Sequence, residues 1–214
     1  MRAVMTVLPM AFVMVAGPQI VTAILLATSV RPRRDSALFL LGSAAATTIG
    51  LTAAYGLTGL FRKAAWHSGR DLRLEHAIDV AIVVLLLFLG IKVLRDRART
   101  EPPRWMARLE TATPAFALRI GFLLFLLMPG NLVSMATVGA SLARHDVAWW
   151  HCLIVAAFTV ALAGIPLLVL LLLGERAKNL LPKARDWMTR NSWIVSEVVI
   201  AFFLLMTLQG LLAG

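Results

Sequence analysis

Two pairs of polar side chains interrupt long apolar runs: Gln19 with Thr22, and Asn131 with Ser134. Each pair joins an amide to a hydroxyl three residues on, a spacing that puts both on one helix face. Such groups form neither a nucleophile nor a metal site; their chemistry is hydrogen bonding, suited to holding a polar head group. Each pair also follows residues that break a helix, Gly17-Pro18 in one case and Pro129-Gly130 in the other. Proline removes a backbone donor and glycine loosens the chain. Inside lipid, a broken helix is tolerated only where protein or water satisfies the freed backbone groups. Paired breaks of this kind mark transport sites, and the half-helix after each break offers N–H groups to a polar or anionic ligand. The candidate substrate-binding set is therefore Gly17, Pro18, Gln19, Thr22, Pro129, Gly130, Asn131 and Ser134. The competing expectation is that the prolines shape packing and the polar side chains recap their own backbone.

Other chemistry is thin. Asp79 and Glu197 are the acids nearest the interior of apolar segments, which makes them candidate proton carriers. Both also fall in the first turns of their helices, where the dipole favours a carboxylate. Gly139-Ala140-Ser141 suggests an intramembrane serine protease, but such enzymes take a base from a histidine in span six, and none is present there. The four histidines and single Cys152 have no metal-ligand spacing, so no metal is expected, nor a disulfide or dithiol relay. No Gly-rich phosphate loop precedes a basic residue. The expectation is a protein that is not an enzyme and carries no cofactor.

These residues must be positioned by membrane helices. The 214-residue chain is 60% hydrophobic and 15% charged, with mean hydropathy +0.84. Apolar runs of about 20 residues, enough to cross a bilayer, predict six spans: Ala3–Val30, Ser36–Phe61, His76–Leu94, Pro114–Leu142, Val147–Leu173 and Trp193–Ala213. The first is too long for a cleaved signal peptide, since apolarity continues past Gly17 to Val30. The net charge of +10 is distributed by loop. Arg31, Arg33 and Arg34 follow span one, seven cations lie between Lys92 and Arg119, and five lie between Arg176 and Arg190. The six remaining cations fall on the other side, so the positive-inside rule puts both termini outside the cytoplasm. This distribution explains the charge without nucleic acid, which would need a basic face on a folded module. Anionic head groups suit the same loops, and Trp105 and Trp187, set among cations in RWMARLE and RDWMTRNSW, read as interfacial anchors.

The chain repeats itself. VAGPQIVTAILLATS from Val15 matches LMPGNLVSMATVGAS from Leu127, with Gln19 opposite Asn131 and Thr22 opposite Ser134. Asp35 and Asp146 each precede the next span, and the segments from Asp79 and Glu197 resemble each other. Three spans per repeat force opposite orientations. The expected fold is an all-α integral membrane protein: six helices in two inverted three-helix repeats, 1–94 and 114–214, joined by a basic cytoplasmic linker, 95–113, with spans one and four broken. Gly42, Ala46, Gly50 and Ala54 form a small-residue stripe on span two, which suits close packing within the chain or in a homo-oligomer.

The stretch GPQIVTAILLATSVRPRRDSALFLLGSA, its echo MPGNLVSM, the six spans and the length resemble the GAP family, peptidoglycolipid-addressing or Sap-like proteins of the lysine-exporter (LysE) superfamily. The likeness covers most of the chain and is most specific in span one and the loop after it. It implies an exporter in a bacterial inner membrane, and for this branch a lipid, glycolipid or lipid-linked envelope component as cargo. The Gly17–Thr22 and Pro129–Ser134 segments would hold the polar head while Leu, Val and Phe walls accept acyl chains. Two alternatives stand beside it: a secondary exporter of a small solute, an amino acid or metal ion, on the same fold, and a membrane adaptor that recruits envelope-synthesis enzymes without transporting.

Overall fold

The computed structural model describes residues 7–68 and 113–190, and within them every regular element is a helix. Prolines set most of the helix starts. α1 (Pro9–Val15), α2 (Pro18–Ala27), α3 (Pro32–Ser68), α4 (Pro114–Leu127) and α5 (Pro129–Arg144) each open on one, where the missing N–H would have had no partner in any case. α6 (His151–Ala163), α7 (Ile165–Leu173) and α8 (Glu175–Arg190) complete the described chain. Thr113 adds a side-chain cap to α4 by accepting from the Phe116 N–H at 3.3 Å.

Within α3, Pro32–Leu60 alone is long and apolar enough to cross a membrane. Three further pairs pass that test only when each is taken as one bent span: α1 with α2, α4 with α5, and α6 with α7, bent by 64°, 64° and 48°. The described residues thus hold one to four crossing segments. Spans three and six of the sequence reading, with Asp79 and Glu197, lie outside the described residues.

The breaks expected in spans one and four are present. A third, in span five, was not expected: Gly164 closes α6, and Pro166 in the first turn of α7 brings no N–H to continue the ladder. Span two also differs, since α3 runs on past Phe61 to Ser68. Charge at Arg62 and Lys63 ends the apolar run without ending the helix.

α3 is the central mast, packed against both halves of broken span four and against α6. Lipid tails are as apolar as leucine, so close fit rather than burial from water holds such helices together. The small-residue stripe provides that fit. A Cβ on Gly42 would strike the Leu118 carbonyl, one on Gly50 the Met135 sulfur, and one on Gly139 would come within 3.0 Å of the Tyr55 N and Ala54 backbone. Phe39 and Phe125, both fully buried, meet edge to face at 6.2 Å. At the far end of α3, Tyr55 donates to the Val147 carbonyl at 2.9 Å. Arg62 reaches the Ala143 carbonyl at 2.6 Å and Asp146 at 3.0 Å. Together they pin the α5–α6 turn, where Asp146 takes a left-handed φ of 52°. A second, smaller cluster joins Ile24 and Ala27 of α2 to Leu170 of α7 and Ala177 and Leu181 of α8.

Candidate functional site: the paired helix breaks

The two breaks are built alike. Ala16, at the end of α1, has φ −63° and ψ 130°, and Met128, at the end of α4, has φ −65° and ψ 126°. The sequence repeat sets these two residues opposite each other. Met128 precedes a proline, which drives it out of the helical region. In the first break Gly17 intervenes with φ 110° before Pro18, a conformation that only glycine takes readily.

The polar pairs lie on the half-helices as their spacing predicts, and all four are buried: Gln19 is 1% exposed, Thr22 0%, Asn131 2% and Ser134 3%. These four side chains are therefore withdrawn from lipid and water in this conformation. Gly17 and Pro18 are partly exposed, while Pro129 and Gly130 are exposed.

Three of the four side chains are spent on their own backbone. The Thr22 hydroxyl donates to the Pro18 carbonyl at 2.7 Å, and the Ser134 hydroxyl donates to the Gly130 carbonyl at 2.9 Å. These bonds are alike at the two breaks, and each is the four-residue back-bond common to hydroxyls in apolar helices. Asn131 donates to the Leu124 carbonyl at 3.4 Å, across the break to a carbonyl in the last turn of α4, where the intrahelical ladder stops. Gln19 differs. Its Oε1 is buried without a hydrogen-bond partner and lies 3.5 Å from where a Cβ on Gly17 would stand. An unpaired buried acceptor is costly to hold, and this one sits at the N-terminus of α2. A hydrogen-bond donor entering the first break would meet Gln19 Oε1; in the second break the Asn131 amide nitrogen is already engaged with the Leu124 carbonyl.

A residue that the sequence reading passed over has the same character. Asp35, the acid before span two, has a buried side chain, 1% exposed. The Ser29 hydroxyl donates to its Oδ2 at 2.8 Å, while Oδ1 and the neighbouring Ser36 Oγ have no partner. The adjacent Arg31, Arg33 and Arg34 are exposed. The available signal was the order of residues: a serine, three arginines, then an acid and a serine at a helix start. Among the described residues no group of three His, Cys, Asp or Glu could hold a metal ion.

Apart from the breaks, α3 and α4 enclose an apolar groove of about 420 Å³, lined by Leu41, Gly42, Ala45, Leu118, Phe122 and Leu123, with Arg119 as its charged member. It contains none of the four polar residues of the breaks.

Apolar bent helices, an all-helical fold and paired interior breaks define a helical membrane protein. Residues 7–211 match the family described as Sap, sulfolipid-1-addressing protein, and the chain belongs to that family. No match was found among curated proteins or among solved structures.

Proposed function

We propose that this protein exports a lipid, glycolipid or lipid-linked envelope component across a bacterial inner membrane. The family carries a name that speaks of addressing a sulfolipid, which supports a lipid-related role in the envelope. The observation that carries the transport reading is the equivalence of the two breaks: equal 64° bends, matching dihedrals at Ala16 and Met128, and the same back-bond from Thr22 and Ser134. Inverted repeats with discontinuous helices meeting near the midplane are the architecture of many secondary transporters, and a wider kinship with LysE-type exporters is part of this reading. The site would open alternately to the two faces, with both termini outside the cytoplasm. In the closed conformation the polar head would leave, and Gln19 Oε1 would be the acceptor it leaves behind. The apolar groove between α3 and α4 suits an acyl chain in transit. The protein performs no covalent chemistry in this reading, and the driving energy comes from a gradient or from the cargo's own distribution.

The test compares surface-extractable with cell-retained lipids by mass spectrometry in a deletion strain, complemented either with wild type or with Gln19→Leu/Asn131→Leu. A lipid that accumulates inside and returns to the surface only with wild type supports the reading. Full complementation by the double variant refutes a role for the breaks and favours an adaptor. Unchanged lipids in every strain favour a small-solute exporter.

A further inference from the structure

α8 carries a surface pattern that the breaks do not explain. Gly174, with φ 51°, turns the chain out of apolar α7 directly into a helix of different composition. At 100° per residue, α8 divides into four stripes. Ala177 and Leu181 form the first; they are buried against Ile24 and Ala27 of α2 and Leu170 of α7. Leu180 and Trp187, seven residues apart, form the next, and they are exposed to 50% and 55%. Arg176 and Lys183, also seven apart and exposed, flank that stripe. Glu175 and Asp186 lie about a third of a turn from the leucine and tryptophan, and Arg185, farther round still, pairs with Asp186 at 2.9 Å.

A helix in water gains nothing by exposing a leucine–tryptophan stripe beside a cationic one. A helix lying flat at a membrane surface gains from both, because the apolar stripe enters the acyl boundary while cations on long stems reach the head groups. Tryptophan is at home at that depth. The sign of the flanking charge selects the occupant: the cations beside the inserted stripe match an anionic lipid surface, with each cation worth about 1 kcal/mol there, or roughly fivefold in occupancy. We propose that α8 lies in the membrane interface and binds anionic phospholipid head groups through Arg176 and Lys183, with Leu180 and Trp187 inserted. Its buried stripe packs on α2, so the bound leaflet is in mechanical contact with the second half of broken span one. This assignment holds whatever the protein exports.

The experiment uses full-length protein reconstituted in bilayers of phosphatidylcholine mixed with phosphatidylglycerol, with bromine on the acyl chains of one lipid or the other. Trp187 emission is isolated as the difference between wild type and Trp187→Phe. The expected result is quenching by both brominated lipids, several-fold stronger from phosphatidylglycerol, with the preference abolished in Arg176→Gln/Lys183→Gln and retained in Arg176→Lys/Lys183→Arg. High salt should also erase the preference in wild type, which tests the proposal even if the glutamine variant fails to fold. Absence of quenching by either lipid would put α8 in water or under a protein partner and overturn the proposal. Equal quenching by the two lipids in wild type would overturn the head-group assignment.

Discussion

Gly42 and Gly121 lie against each other's helices where α3 crosses α4: a Cβ on Gly42 would enter the Leu118 carbonyl, and a Cβ on Gly121 would enter the Phe39 carbonyl. Each glycine makes room for the other helix's backbone, so the crossing is closed from both sides. Phe39 and Phe125 fill the space beside it.

Gly121→Ala should therefore lower the thermal unfolding midpoint in detergent, with a destabilisation of about 1–3 kcal/mol for overpacking against rigid backbone. Gly56 and Gly59, in the same α3, have nothing within 4 Å of an added Cβ. Their alanine variants should instead gain about 0.5–1 kcal/mol from helix propensity, and the opposite signs are readable in one set of melts.

The four polar residues of the breaks should separate by readout. Asn131→Leu leaves the Leu124 carbonyl without its partner and should cost about 1 kcal/mol of stability. Gln19→Leu removes an acceptor that is unpaired in this conformation, so stability should hold or rise while export of the cargo falls. Thr22→Val and Ser134→Ala remove local back-bonds only and should change stability by less than about 1 kcal/mol. A parallel loss of stability and export in Gln19→Leu would show that Gln19 is structural.

Ser29→Ala should destabilise by about 1–3 kcal/mol, because it strips the hydrogen bond from a carboxyl group that is 1% exposed. In Asp35→Asn the same serine substitution should cost less, and the difference measured through the double variant gives the coupling between the two side chains. Additive effects would mean that the 2.8 Å contact carries no energy of its own.

At the α5–α6 turn, Arg62→Gln should have a small effect, about 0–1 kcal/mol, since Arg62 and Asp146 are 42% and 80% exposed. Asp146→Val should be worse than Asp146→Asn, because φ 52° suits asparagine and penalises a β-branched residue. Thermal melts of the three variants would reveal whether the backbone or the ion pair holds this turn.

The breaks were legible because proline and glycine act on the chain locally. Pro18 and Pro129 each open a new half-helix after a residue outside the helical region, whereas Pro182 lies within α8 without ending it. Span four, expected over Pro114–Leu142, is found as Pro114–Arg144 with its break in place. The bend at Gly164 uses the same two residue types but has no polar side chain nearby, so it reads as one more stretch of apolar helix. The burial of Asp35 left only a faint trace in the order of residues from Ser29 to Ser36. Its neighbours in sequence are three exposed arginines, yet its side chain is buried and accepts from the Ser29 hydroxyl. Likewise the identities of Gln19 and Asn131 suggested two equivalent ligands, whereas their partners make them unequal. The Sap-like part of the family resemblance was recovered over residues 7–211.

The bend at Met128 also sets a length. At 1.5 Å per residue, α4 and α5 rise about 21 and 24 Å, so laid end to end they would reach about 45 Å, well past a hydrocarbon core of about 30 Å. With 64° between them the end-to-end reach falls to about 38 Å. The angle is thus a ruler with a hinge in it: a thinner bilayer favours closing it and a thicker one favours straightening it, at fractions of a kcal/mol for each ångström of mismatch. Lipid composition alone, by changing thickness, would then shift the geometry of the half-helix that carries Asn131 and Ser134.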